Sequence, residues 1–228
     1  MRIAVLGTGI VGRTLAARLA GLGHDVVMGT RDVAATLARA EAASPGSLSF
    51  AAWHAENPGV RLLIFAAAAG HAQIVLNATS GAGALGALRA AGQANLAGKV
   101  LIDVANPLDF SGGTPVLNPV STDSLGEQIQ RAFPEAKVVK ALNTMNCQIM
   151  TDPAIIPGAH NAFVCGNDAG AKAAVTELLA SFGWPREAVI DLGDISASRG
   201  TEMVLPLWLR LMLSFGDTDF NFAVRRAG

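Results

Sequence analysis

Residues 2–12 read Arg2-Ile3-Ala4-Val5-Leu6-Gly7-Thr8-Gly9-Ile10-Val11-Gly12. An apolar stretch with the composition of a strand runs into a glycine-rich turn, and a helical pattern opens at Ile10 with Leu15, Leu19 and Leu22 on one face. Each glycine has its own task in such a turn. Gly7 permits the tight bend, Gly9 lets the backbone approach a pyrophosphate, and Gly12 lets the helix lie close to the strand. The pyrophosphate then meets the N–H groups and the positive end of the helix. G-x-G-x-x-G alone is a weak signal, but between a strand and a helix it reads as a dinucleotide site.

The next strand, Asp25–Met28, leads into Gly29-Thr30-Arg31-Asp32. A site selecting NAD places an acidic residue there, to bond the ribose 2′-hydroxyl. Thr30 and Arg31 instead suit a 2′-phosphate, which points to NADP(H). Asp32 sits too far along the turn for that role and is read as a helix cap.

Further along, strands are expected at Arg61–Phe65, Gln73–Ala78, Lys99–Val104 and Ala136–Leu142. Helices are expected over Val33–Ala42, Phe50–Glu56, Ala82–Ala91 and Asp123–Phe133, with a Ser/Pro/Gly break at Ala43–Ser47 and a long loop over Asn106–Val120. This alternation predicts an α/β fold, a doubly wound parallel sheet of the Rossmann type. After residue 146 the pattern changes: strands at Ala162–Cys165 and Ala188–Leu192, a helix over Asp168–Phe182, and another over Thr201–Ser214. Residues 1–146 are read as the NADP-binding domain. Residues 147–228 are read as a small α+β domain that closes a substrate cleft.

Ligands bind at the carboxyl ends of strands in open α/β sheets. Three such ends carry amides and hydroxyls: Asn77-Ala78-Thr79-Ser80, Asn106-Pro107 and Ala141-Leu142-Asn143. Turn chemistry and capping explain many such residues equally well. Lys140 is read either as a phosphate or substrate contact or as a snorkelling strand residue, and His160 as a polar loop residue or a cleft residue. The stripe Met203, Leu207, Trp208, Leu211 and Met212 reads as core, subunit interface or a wall for a flat cofactor.

Composition narrows the function. The formal net charge is −1 with no block of like charge, which disfavours nucleic-acid binding. The two cysteines form no C-x-x-C pair, and the four histidines have no ligand spacing, so no metal site is expected. No signal peptide and no membrane span is visible, and a reducing, cytoplasmic setting is the simplest reading.

The glycine turn, Gly29-Thr30-Arg31, Leu96–Asp109, Lys140–Thr144 and Asp191–Pro206 together resemble coenzyme F-420-dependent NADP oxidoreductases, over nearly the whole chain. The nucleotide-binding unit is also similar to the cytosolic domain of STEAP metalloreductases. The resemblance implies hydride transfer between the nicotinamide and coenzyme F-420 or a flavin-like acceptor as second substrate. It implies that Thr8, Gly9, Ile10 and Val11 hold the pyrophosphate, and Thr30 with Arg31 the 2′-phosphate. Thr79 and Ser80 would lie along the nucleotide, and Asn143 with the backbone of Ala141 by the nicotinamide. Thr79-Ser80-Gly81 stands where relatives often carry Pro with a bulky apolar residue, and the loop Asp109–Leu125 is long. The alternatives are an NADPH-binding sensor without turnover and a dehydrogenase of the hydroxyacid or pyrroline-carboxylate reductase type. A homodimer is expected through the apolar C-terminal helix.

Overall fold

A computed structural model describes residues 1–40, 48–109, 112 and 115–227. Among them, eight strands form one sheet in the order β10-β9-β8-β5-β4-β1-β2-β3. These are β1 (Arg2–Leu6), β2 (Asp25–Thr30), β3 (Arg61–Ile64), β4 (Ile74–Asn77), β5 (Val100–Asp103), β8 (Lys137–Ala141), β9 (Ala162–Gly166) and β10 (Val189–Asp191). Two short strands, β6 (Leu108–Asp109) and β7 (Val116–Leu117), form an antiparallel hairpin inside the expected loop. Neighbours in the large sheet are parallel except for β8 and β9. The strands after residue 146 therefore extend the main sheet instead of forming a separate one.

Alternation along β1 shows why the sheet is covered twice. Ile3 and Val5 join one apolar cluster, Ala4 and Leu6 the other, and all four are fully buried. The first cluster takes α1 (Ile10–Gly21), α3 (Phe50–Glu56), α8 (Cys147–Thr151) and α9 (Ala169–Phe182). The second takes α4 (Phe65–His71), α5 (Gly81–Ala91), α6 (Gln93–Leu96) and α7 (Leu125–Ala132). The remaining helices are α2 (Val33–Leu37), α10 (Ser198–Met203) and α11 (Leu205–Phe215).

Several expectations shift. Asp32 caps α2 as read, accepting from the Ala35 N–H, but α2 ends at Leu37. The expected break at Ala43–Ser47 lies outside the described residues. Strand β3 stops at Ile64, one residue short of the expected Phe65, and Phe65–His71 is a helix. Thr201–Ser214 is two helices, because Pro206 has no N–H to give and its ring crowds the preceding turn, so α11 starts afresh around it. The expected stripe is not core of this chain: Met203 at the end of α10 and Leu207 on α11 are exposed, and Trp208, Leu211 and Met212 are only half-buried.

Among the described residues, no helix is long and apolar enough to cross a membrane.

Candidate functional site: a nucleotide cleft at the strand ends

The glycine turn joins β1 to α1 through contacts that admit no side chain at two positions. Gly7 has φ +112°, and a Cβ there would sit 2.5 Å from the Ala78 carbonyl oxygen. At Gly12 a Cβ would lie 2.2 Å from the Gly7 oxygen. Gly9 differs: a Cβ there would meet nothing within 4 Å, because it would project into open space. Gly9 is also the N-cap of α1 and has no side chain to cap it. Ser80, the N-cap of α5, makes no capping bond either. Asp32, Ser49, Ser124 and Asn146 all close their helices with side chains. Two helix N-termini with free donors therefore border one cleft of about 1100 Å³, as an anion would require.

The cleft brings together Gly7, Thr8, Gly9, Thr30, Arg31, Ala78, Thr79 and Ser80 of the expected residues. Arg31 is exposed at its mouth. Thr30 is buried, and its hydroxyl lies 2.8 Å from that of Thr36. Thr36 gives its own proton to the Asp32 carbonyl, so Thr30 donates to Thr36 and can offer a ligand only a lone pair. Sequence reasoning missed Arg39, which donates to the Thr8 hydroxyl at 2.5 Å and sits over the Phe50 ring. It lines the same cleft as Arg31. Its position shortly after the helix that Asp32 caps was the available signal.

Ala78, Thr79 and Ser80 also wall a second, inner cavity of about 260 Å³. Val11, Val104, Leu108, Met145 and Met150 give it an apolar surface, and Asn106 a polar edge. Asn106 donates to the Asn143 carbonyl at 2.7 Å, and Asn143 donates back to Asn106 Oδ1 at 3.0 Å. Leu142, between Ala141 and Asn143, has φ +63°, a left-handed conformation that costs a branched residue about 1–3 kcal/mol. That bend turns the end of β8 so that Asn143 meets Asn106. Pro107, Ala141 and Asn143 are buried behind the cavity, Gly12 is buried in the turn, and Ile10 borders a different hollow with Arg13 and Arg18.

Lys140 fits neither sequence reading. Its side chain is wholly buried, so it neither contacts a ligand nor snorkels. Its ammonium lies 2.8 Å from Asp103 and 2.8 Å from Glu202, and it also donates to the Ala105 carbonyl. Burial alone would pull Lys140 down, but the Asp103 and Glu202 carboxylates outweigh it and hold the amine above its ordinary value. Glu202 accepts from the Leu125 and Gly126 N–H groups at the start of α7. The partner could not be read from the sequence because Glu202 comes from a distant helix.

His160 is buried against Trp184, bonded to the Pro153 carbonyl and to Asn221, and lines neither cavity of the cleft. Burial pushes the Cys165 thiol up to about 12, which makes it unreactive. No group of three or more His, Cys, Asp or Glu is placed to hold a metal among the described residues.

Residues 2–107 match the family described as NADP oxidoreductase, coenzyme F420-dependent. A crystal structure from Arthrobacter sp. FB24, provisionally named an F420-dependent NADP-reductase, is 59% identical. It superposes with TM-score 0.94 over 99% of this chain and 100% of that one. Rat (Rattus norvegicus) metalloreductase STEAP3 is 27% identical over 91% of this chain, which spans only 38% of that protein. An imine reductase from Aspergillus terreus, solved in complex with NADPH4, shares the fold at 17% identity. There the TM-score is 0.63, over 94% of this chain and 63% of that one. With near-complete coverage at 59% identity, the chain belongs to the coenzyme F420-dependent family of NADP oxidoreductases.

Proposed function

We propose that this protein transfers a hydride between NADP(H) and a deazaflavin, coenzyme F-420, or a flavin-like acceptor. The observation that carries the reading is the shared wall Ala78-Thr79-Ser80, which joins a long outer cleft with two arginines to an apolar inner cavity. Arg31 and Arg39 take the 2′-phosphate at the outer end, with Thr30 as a buried brace. The backbone of Thr8, Gly9, Ile10 and Val11 takes the pyrophosphate, and Thr79 and Ser80 lie along the nucleotide. Asn106 and Asn143, backed by Pro107 and Ala141, fix the nicotinamide end.

When bound, NADPH supplies the hydride. The chain's part is placement and the exclusion of water, through Val11, Val104, Leu108, Met145 and Met150. Met150 belongs to residues 147–228, which supports a part for the C-terminal segment in lining the inner cavity. No titratable side chain lines that cavity among the described residues. This suits a ring that accepts a hydride without a proton from the protein. It disfavours a hydroxyacid dehydrogenase, which needs an acid or base beside the reacting carbon. The reading extends to a homodimer covering the exposed Leu207, Leu213 and Phe215 of α11, in a reducing, cytoplasmic setting that suits two free thiols.

Two measurements test it. Arg31→Ala should weaken NADPH about 10- to 150-fold, the value of a charge-assisted bond, and NADH less than about twofold. An equal loss for both would refute the 2′-phosphate role. Mixing the protein with NADPH and oxidised F-420, FMN or FAD should bleach the acceptor; tight NADPH binding with no transfer to any of them would sink the reading.

A further inference from the structure

The buried charges under the inner cavity reach one of its walls through a single hydrogen bond and the other through two. Asp103 accepts from Asn77 Nδ2 at 2.8 Å, and Asn77 Oδ1 accepts the Thr79 hydroxyl proton at 2.7 Å. On the other side, Asp103 also accepts from the Ala105 N–H at 3.3 Å, and Lys140 donates to the Ala105 carbonyl. Thr79 and Ala105 both line the cavity, and Asn106 follows directly. Three strand ends, β4, β5 and β8, are thus tied to one ammonium. Glu202, from α10, completes its coordination, and the two N–H groups at the start of α7 hold Glu202 in turn.

Such a cluster is an expensive way to gain stability. Well-packed apolar residues of the same volume often serve as well or better, because three charged groups must first leave water. What it provides is geometry: every proton on Lys140 has a fixed acceptor, so the ends of three strands cannot move independently.

We propose that Lys140, held by Asp103 and Glu202, is a positioning residue that fixes Thr79 and Asn106 at the nicotinamide end of the cleft. This rests on the NADP(H) reading above. The network touches no ligand; it acts through Asn77 on one wall and Ala105 on the other. Its effect centres on the inner half of the nucleotide, since Lys140, Asp103, Glu202, Asn77 and Ala105 do not line the outer cleft and, of the two residues they fix, only Thr79 borders both. A role in merely gluing α10 to the sheet would not discriminate between the halves.

The test compares NADP⁺ with adenosine 2′,5′-bisphosphate, which carries only the outer half. Glu202→Gln keeps the shape but puts an amide NH2 in place of one of the two oxygens that serve three donors, the Lys140 ammonium and the Leu125 and Gly126 N–H groups. The wild type should bind NADP⁺ more tightly than the bisphosphate. The variant should lose about tenfold for NADP⁺ and stay within about twofold for the bisphosphate. Equal losses, or none, overturn the proposal. Hydrogen exchange on the wild type needs no variant to fold. NADP⁺, but not the bisphosphate, should protect amides 103–106, 125–126 and 140–143, and identical patterns for the two ligands overturn it. If the wild type binds neither ligand, the NADP(H) reading itself falls and this inference with it.

Discussion

At the residue scale the three glycines of the turn separate into two kinds. Gly12 is closed in by the Gly7 oxygen, whereas Gly9 opens onto the cleft. Gly12→Ala should therefore cost about 1–3 kcal/mol or more of folding stability, read from a urea transition. Gly9→Ala should leave that transition in place and reduce NADPH affinity more than about tenfold, because the added methyl occupies the approach to the pyrophosphate. Arg39 makes a separate prediction. Its side chain reaches the Thr8 hydroxyl across the cleft, so Arg39→Ala should weaken NADPH about tenfold and leave NADH nearly unchanged in a fluorescence titration. The glycines and Arg31 were legible because their chemistry is local to a strand–turn–helix unit. Arg39 and Lys140 were not, because what each side chain touches is set by tertiary contacts.

At the scale of elements, α7 shows how a local rule and a distant contact combine. Ser124 caps it by accepting from the Glu127 N–H; its hydroxyl donates to the Glu127 carboxylate at 2.7 Å and lies 2.7 Å from the Ser198 hydroxyl. Ser124→Ala should cost about 1–2 kcal/mol in denaturant midpoint, the usual value of a lost cap, without moving NADPH affinity. The strong helices and the core strands could be read from periodicity and punctuation. The run Phe65–His71 could not, since Ala and Gly side chains carry little period and follow an apolar strand directly. The break at Pro206 was visible as a residue, yet the long apolar stripe on either side masked it. Strands β9 and β10 could be located in the sequence, but their membership of the main sheet could not. Which edge a strand joins depends on what is left unpaired on β8.

For the whole molecule, acid sensitivity follows from paired carboxylates. Hydrogen bonding to Arg199 holds the Glu127 carboxyl below its ordinary value of 4.5, and Arg131 does the same for Asp123, ordinarily 3.8. Both groups bind protons more weakly in the folded chain than in the unfolded one. Their stabilisation is complete above those ordinary values and is lost as pH falls through the lower folded ones. Urea midpoints should drop below about pH 4.5, and Glu127→Gln should flatten that drop. Sedimentation should give twice the 23.3 kDa chain mass if α11 is covered by a second copy, and Leu213→Glu should return it to one. The order of the chain adds a consequence for biosynthesis. Lys140 and Asp103 leave the ribosome before Glu202 exists, so a nascent chain holding all of β1 to β8 still has a buried amine short of one carboxylate. On the proposed reading, the outer half of the nucleotide site can assemble during translation while the inner half waits for α10, so a chain truncated before α10 should grip the adenosine end of NADP(H) and leave the reactive end loose.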